Sequence, residues 1–182
     1  MTNISINVVG VGTETYPSGT TPLQILSSTK GASKETIICK VDKVLTDLSV
    51  QLDCDCTVQF LDGKSKDGHN VLLHSTAHLM AQAVKRLYPK TKVTIGPFLE
   101  NRFYYDFDVE TPFTDEDLLK IEGEMLKISK ENIDITHAIK SREEALKFFK
   151  NIGEDYKIEI INDLDDSEVL KVYAQGDFTD LC

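Results

Sequence analysis

The sequence predicts an α+β chain in two parts, and three observations carry that prediction. Short runs of alternating apolar and polar residues dominate the chain up to residue 62. A polar stretch with two Asp-Gly pairs follows, LDGKSKDGHN (61–70). After it comes a long apolar stripe with helical spacing, and then mixed helical and extended patterns. The expected division is 1–62 and 63–182.

In the first part, ISINVV (4–9) alternates and then meets Gly10 and Gly12, the pattern of a strand entering a turn. Thr21-Pro22 offers an N-cap and a proline at the first helical position, with Leu23, Ile25 and Leu26 packing a short helix. TIICKV (36–41), LSVQL (48–52) and CTVQF (56–60) read as further strands. Strand, turn, strand, helix and short strands within one small domain predict a β-grasp, or ubiquitin-like, fold.

In the second part, Leu73, Ala77, Met80, Ala81, Val84 and Leu87 form one apolar helical stripe, ended by Tyr88-Pro89. FYYDFDV (103–109) reads as an aromatic strand. Thr114 caps a second helix with apolar Leu118, Ile121, Met125 and Ile128. Ser141 and Glu144 form a capping box for a helix over 142–150. YKIEII (156–161), VLKVY (169–173) and GDFTDLC (176–182) read as strands. The expected architecture is an antiparallel sheet with packed helices.

Composition narrows the function. The net charge is −10, divided as −3 in residues 1–62 and −7 in the remainder. Neither part offers the basic face that neutralises phosphates, so any RNA contact must be local or supplied from elsewhere. No apolar run approaches the roughly 20 residues that span a bilayer. The start MTNISINVVG lacks a basic segment before its apolar residues, unlike a signal peptide. Four scattered cysteines are too few for a disulfide scaffold, and a cytoplasmic location is expected.

Several side chains could carry chemistry. His74 and His78 stand one helical turn apart on one face, a spacing that suits two ligands of a metal, two groups around a substrate, or polar residues flanking the stripe. Ser75 follows His74 where a zincin would have Glu. Cys182 is a candidate third ligand, and Asp180 faces the same way if 176–182 is a strand. Lys157 could stabilise an oxyanion or form a salt bridge. Tyr104, Tyr105, Asp106 and Asp108 could line a pocket or, for the tyrosines, fill the core. Cys54 and Cys56 fit strand packing, Cys39 a core position, His137 a packed or edge position, and His69 a solvated linker.

Four blocks, HSTAHLMAQAVKRLYP (74–89), IGPFLENRFYYDFD (95–108), YKIEII and GDFTDLC, resemble in order and spacing the editing domain of threonyl-tRNA synthetases. Alanyl-tRNA synthetase editing domains share the HxxxH and a later cysteine. Residues 1–62 resemble a TGS domain, the β-grasp module that precedes editing in threonyl enzymes. The family pattern continues from the cysteine to a histidine four residues on. This chain stops at Cys182, so it resembles an N-terminal fragment without the aminoacylation and anticodon-binding domains.

The resemblance implies hydrolysis of the ester of mischarged seryl-tRNA(Thr). It implies His74, Lys157, Asp180 and Cys182 as the catalytic set, and His78, Tyr105 and, less directly, Tyr104 and Asp106 as substrate contacts. No cofactor is required for editing, while zinc at His74, His78 and Cys182 is compatible with the ligand types. ATP and a further zinc belong to the aminoacylation domain. The implied partner is the acceptor end of tRNA(Thr) carrying serine, with no membrane, and a homodimer formed through the other domains. Two alternatives stay open: a freestanding hydrolase acting on mischarged tRNA in trans, and a non-catalytic TGS-containing binding module.

Overall fold

The computed structural model describes residues 2–29, 35–96, 98–99 and 101–182. The described residues form an α+β protein with antiparallel and mixed sheets and five helices. By packing they fall into two compact units, Met1–Leu73 and His74–Cys182.

In the first unit, β1 (Asn3–Val8) and β2 (Gly12–Pro17) make a hairpin whose turn uses Gly10 and Gly12 at φ 81° and 133°. Helix α1 (Pro22–Ser28) starts at Thr21, whose hydroxyl accepts from Gln24 N while the Gln24 side chain accepts from Thr21 N. β3 (Thr36–Val41), β4 (Val44–Thr46) and β5 (Cys56–Asp62) complete a sheet of order β2-β1-β5-β3-β4, with β1 and β5 parallel. Alternation along β1 sends Ile4, Ile6 and Val8 into a core with Ile25, Cys39, Leu52 and Val58.

Two expectations fail here. Residues 48–52 form no strand. Asp47 Oδ1 accepts from both the amide and hydroxyl of Ser49, so the chain turns, and Leu52 alone bridges to Thr20. Nor is 61–70 a linker. β5 runs through Asp62, Asp62 Oδ1 accepts from Lys64 N and Ser65 N, and helix α2 (Lys66–Leu87) begins at once. His69 therefore sits in the helix.

The second unit carries the rest of α2, the short pairs β6 (Lys92–Val93) with β9 (Phe107–Asp108) and β7 (Phe98–Leu99) with β8 (Arg102–Phe103), and helix α3 (Asp115–Glu131). Then come β10 (Ile135–Lys140), α4 (Arg142–Ile152), α5 (Asp155–Asp163), β11 (Leu170–Gln175) and β12 (Phe178–Leu181). β10, β11 and β12 form an antiparallel sheet in that order. The predicted Ser141–Glu144 capping box forms, and Thr114, expected as a cap, forms a capping box with Asp117. The stripe of α2 buries Ala77, Ala81 and Val84, and α3 buries Ile121 and Ile128 while Leu118 stays 55% exposed.

The largest correction is YKIEII, which is helix α5. Gly153, left-handed at φ 75°, ends α4, and the chain restarts as a helix. Buried Lys157 and Ile161 are one turn apart, a helical spacing that six residues of apparent alternation concealed. Ile161 joins Ala145, Phe149, Leu170 and Val172 in one core cluster. FYYDFDV is likewise not one strand: β8 ends at Phe103 and β9 starts at Phe107. Pro97 and Glu100 of the 95–108 block lie outside the described residues.

Helical burial in α5 has a measurable consequence. Ile161→Ala should lower the unfolding free energy by about 2–4 kcal/mol, whereas exposed Glu159→Ala should change it by less than about 0.5 kcal/mol. Urea denaturation of the two variants checks this.

Candidate functional site

The site is organised around Asp180 on β12. Its carboxylate is 2% exposed, and burial alone would raise its pKa. The hydrogen bond from His78 and the charge of Lys157 outweigh burial and hold it at about 2. Asp180 is thus a carboxylate at neutral pH. Oδ1 lies 2.5 Å from Lys157 Nζ and accepts from Leu181 N at 2.8 Å. Oδ2 accepts from the Tyr105 hydroxyl at 2.5 Å and from His78 Nδ1 at 3.1 Å.

Lys157 is 3% exposed and spends its three hydrogens on Asp180, on the Thr94 carbonyl at 2.8 Å and on Tyr105 Oη at 3.1 Å. Its charge, rather than a spare N–H, is what it offers the cleft. Tyr105 packs beside Ala77, Ala81, Val93 and Phe178, and burial raises its pKa, so the phenol stays protonated. Gly96 makes room for this ring, because a Cβ there would collide with it.

On the other side of His78 is a triangle of donor atoms. His74 Nε2 lies 2.9 Å from Cys182 Sγ, His78 Nε2 lies 3.0 Å from His74 Nε2, and His78 Nε2 lies 3.1 Å from Cys182 Sγ. One turn of α2 sets the two imidazoles together, and the backbone pair of Cys182 with Lys171 brings the thiol to them. Cys182 as a residue is exposed, yet its sulfur lies against both rings. Burial, with Asp180's charge, pushes the thiol up to about 12. Burial, reinforced by His78, lowers His74, favouring its neutral form. Because Nδ1 of His78 donates to Asp180, its Nε2 in the neutral ring presents a lone pair to the triangle.

His74, His78 and Cys182 could hold a metal. The N, N, S set suits zinc, and the bond of His78 to Asp180 is the kind that orients a ligand. Metal–ligand bonds of about 2.0–2.3 Å at tetrahedral angles would place the donors roughly 3.4 Å apart. The triangle is tighter, so an ion would have to open it by several tenths of an ångström.

The structure therefore brings together His74, His78, Tyr105, Lys157, Asp180 and Cys182. Tyr104 and Asp106 alternate away from Tyr105 and are exposed, outside this cluster. Sequence reasoning missed three contributors: the Thr94 carbonyl, Gly96 and Phe178, which packs beneath His78 with ring centroids 6.5 Å apart. A backbone carbonyl leaves no side-chain signal. Gly96 was visible only as part of a block.

Two outcomes follow from the buried carboxylate. Asp180→Ala should cost about 3–5 kcal/mol, because it strands the Lys157 ammonium, and Tyr105→Phe about 1–3 kcal/mol. Since the folded pKa lies below the unfolded value near 3.9, Asp180 contributes its stability above about pH 4. That contribution is lost as pH falls toward about 2. Denaturation of wild type and Asp180→Asn across this window should show their difference narrowing on acidification.

No protein-family model matches the chain. It is 47% identical over 168 residues to a threonine–tRNA ligase of Symbiobacterium thermophilum, covering 92% of this chain and 26% of that protein. It is 50% identical over 151 residues to the threonine–tRNA ligase of Fusobacterium nucleatum subsp. nucleatum, covering 82% and 24%. With the Pelobacter propionicus threonine–tRNA ligase it is 45% identical over 183 aligned residues, covering 100% and 29%. The chain spans about a quarter of the length of these relatives. On this similarity the chain belongs to the threonine–tRNA ligase family, as a region of its longer members.

Proposed function

We propose that this chain is the editing region of a threonine–tRNA ligase, in which residues 63–182 hydrolyse the ester of seryl-tRNA(Thr) and residues 1–62 form a TGS-type β-grasp module. The observation that supports this most is the convergence of His74, His78, Lys157, Asp180 and Cys182, which come from three separate stretches of sequence, in one cluster of contacts.

Ester hydrolysis needs a water relieved of its proton, stabilisation of the carbonyl oxygen as it gains charge, and a protonated leaving ribose oxygen. His78, whose Nδ1 donates to Asp180, turns Nε2 toward the triangle as the proton acceptor, and the adjacent His74 ring orders water or the ribose hydroxyl. Cys182, protonated, shapes the floor and donates weakly. The Lys157 charge, fixed in a water-poor site by Asp180, Tyr105 and Thr94, favours a negative oxygen nearby. Should zinc occupy His74, His78 and Cys182, it would supply a Lewis acid at the same place.

Selectivity follows from size. Serine lacks one methyl group of threonine, and an aminoacylation pocket gains only about 1–3 kcal/mol from such a group. A second pocket can reject the larger residue by overlap. Aminoacylation with ATP, its zinc, and contacts between two subunits would reside in the remainder of the longer protein. The charge of −10 makes this region alone a weak binder of tRNA.

Deacylation of seryl- and threonyl-tRNA(Thr) at matched concentrations tests the proposal. Serine should be released and threonine retained. Lys157→Ala, with its fold verified by circular dichroism, should lose about 100-fold in rate, because it removes the charge that holds Asp180 behind the His78 base. Equal hydrolysis of the two esters would sink the size argument.

A further inference from the structure

Farther along α2 than the imidazoles there is a cavity of about 310 Å³. Gln82, Lys85 and Arg86 of α2 line it, with Ile152 and Glu154 from the junction of α4 and α5 and Asp177 from the turn before β12. Two oxygens of these residues stand out. Gln82 is 1% exposed and Glu154 7%, yet Gln82 Oε1 and Glu154 Oε2 have no hydrogen-bond partner among the described residues. Buried polar atoms are rarely left so. The orientation of the Gln82 amide is fixed, because Nε2 donates to the Gln175 carbonyl at 3.0 Å and to Asp177 Oδ1 at 3.2 Å. Glu154 precedes the first turn of α5 without capping it, and its Oε1 is taken by Lys85 at 2.8 Å.

We propose that this cavity binds an alkylguanidinium group, which donates to Gln82 Oε1 and Glu154 Oε2. Both unpartnered atoms are acceptors, so the ligand is a donor. Charge makes it a cation. Lys85 is spent on Glu154 and on the Thr91 carbonyl at 3.2 Å. Arg86 is held by Glu131 through a two-point contact of 2.7 and 3.0 Å, with Glu124 and Asp177 at 3.6 and 3.7 Å. Four carboxylates thus surround two cations, an imbalance that repels anions and attracts a further positive group. Guanidinium suits the place better than ammonium. It is planar, carries several N–H donors in a fixed fork, and sheds water more readily on entering a buried site. Ile152, 48% exposed, gives the alkyl stem an apolar rim. None of these residues belongs to the cluster around Asp180, so the site stands apart from the hydrolase reading.

Titration of the chain with butylguanidinium at low salt tests this, with NMR following the Gln82 side-chain amide and the Asp177 backbone amide. Butylurea, of the same shape without the charge, and inorganic phosphate are the controls. Butylguanidinium should shift both signals and saturate with a roughly millimolar Kd. Butylurea should bind at least about tenfold more weakly, and phosphate should leave both signals in place. Glu154→Gln should weaken butylguanidinium about tenfold and Gln82→Met about fivefold. Arg86→Gln removes a competing cation and should tighten binding about two- to threefold. Should Glu154→Gln fail to fold, Gln82→Met and Arg86→Gln carry the comparison. Agmatine and N-acetylarginine amide then separate the two sources of the group. Tighter binding of agmatine names a free small amine, and tighter binding of the amide names an arginine side chain of a polypeptide. Shifts that never saturate, as when solvent alone meets the two oxygens, overturn the proposal. So do butylurea binding as tight as butylguanidinium, weaker binding by Arg86→Gln, and affinity that ignores all three substitutions.

Discussion

The second unit depends on one buried carboxylate. Asp180 collects donors from α2 through His78, from the segment before β9 through Tyr105, from α5 through Lys157 and from its own strand through Leu181 N. A lone charge at this depth would be untenable, and a lone ammonium no better. Each is tolerated because the other is there and because Thr94 and Tyr105 complete the hydrogen bonding. Such a pair contributes little net stability, but it penalises every packing that separates its members. The same carboxylate sets the tautomer of His78, so the arrangement that holds the elements together also prepares the imidazole facing Cys182.

The imidazole–thiol triangle is consistent with two chemistries. Without a metal, the raised pKa keeps the Cys182 thiol protonated, and burial favours the neutral form of His74, which can meet water. With zinc the thiol would lose its proton and the triangle would widen. Both uses need the same positions, and Asp180 supports both from behind.

Much of this was legible in the sequence, and the rest was hidden for physical reasons. Caps were readable because they are local: Thr21, Thr114 and Ser141 each act within three residues. The pairing of His74 with His78 was readable because helical periodicity decides it. Lys157 was singled out although its element was misread, since a lysine among apolar residues stands out in either geometry. The helix of α5 was not readable, because its partners Phe149 and Leu170 are remote in sequence and decide which period wins. The β3–β4 turn was also missed, since Asp42 and Lys43, at φ 48° and 73°, adopt positive φ without a glycine to announce it. Tyr105 was ranked above Tyr104 and Asp106 by the resemblance alone, and alternation gives the physical reason, one side chain inside and two outside.

The last strand carries a parity constraint. Phe178, Asp180 and Cys182 occupy alternate positions facing α2, while Leu181 faces the cluster around Phe149 and Ile161. Sliding β12 by one residue would drive the carboxylate into that apolar cluster and set a leucine against the Lys157 ammonium. Sliding it by two would restore the faces but carry the thiol about 7 Å from the imidazoles. The turn at Gly176, left-handed at φ 61°, joins β11 to β12 in the one register that puts both the carboxylate and the thiol where the cluster needs them.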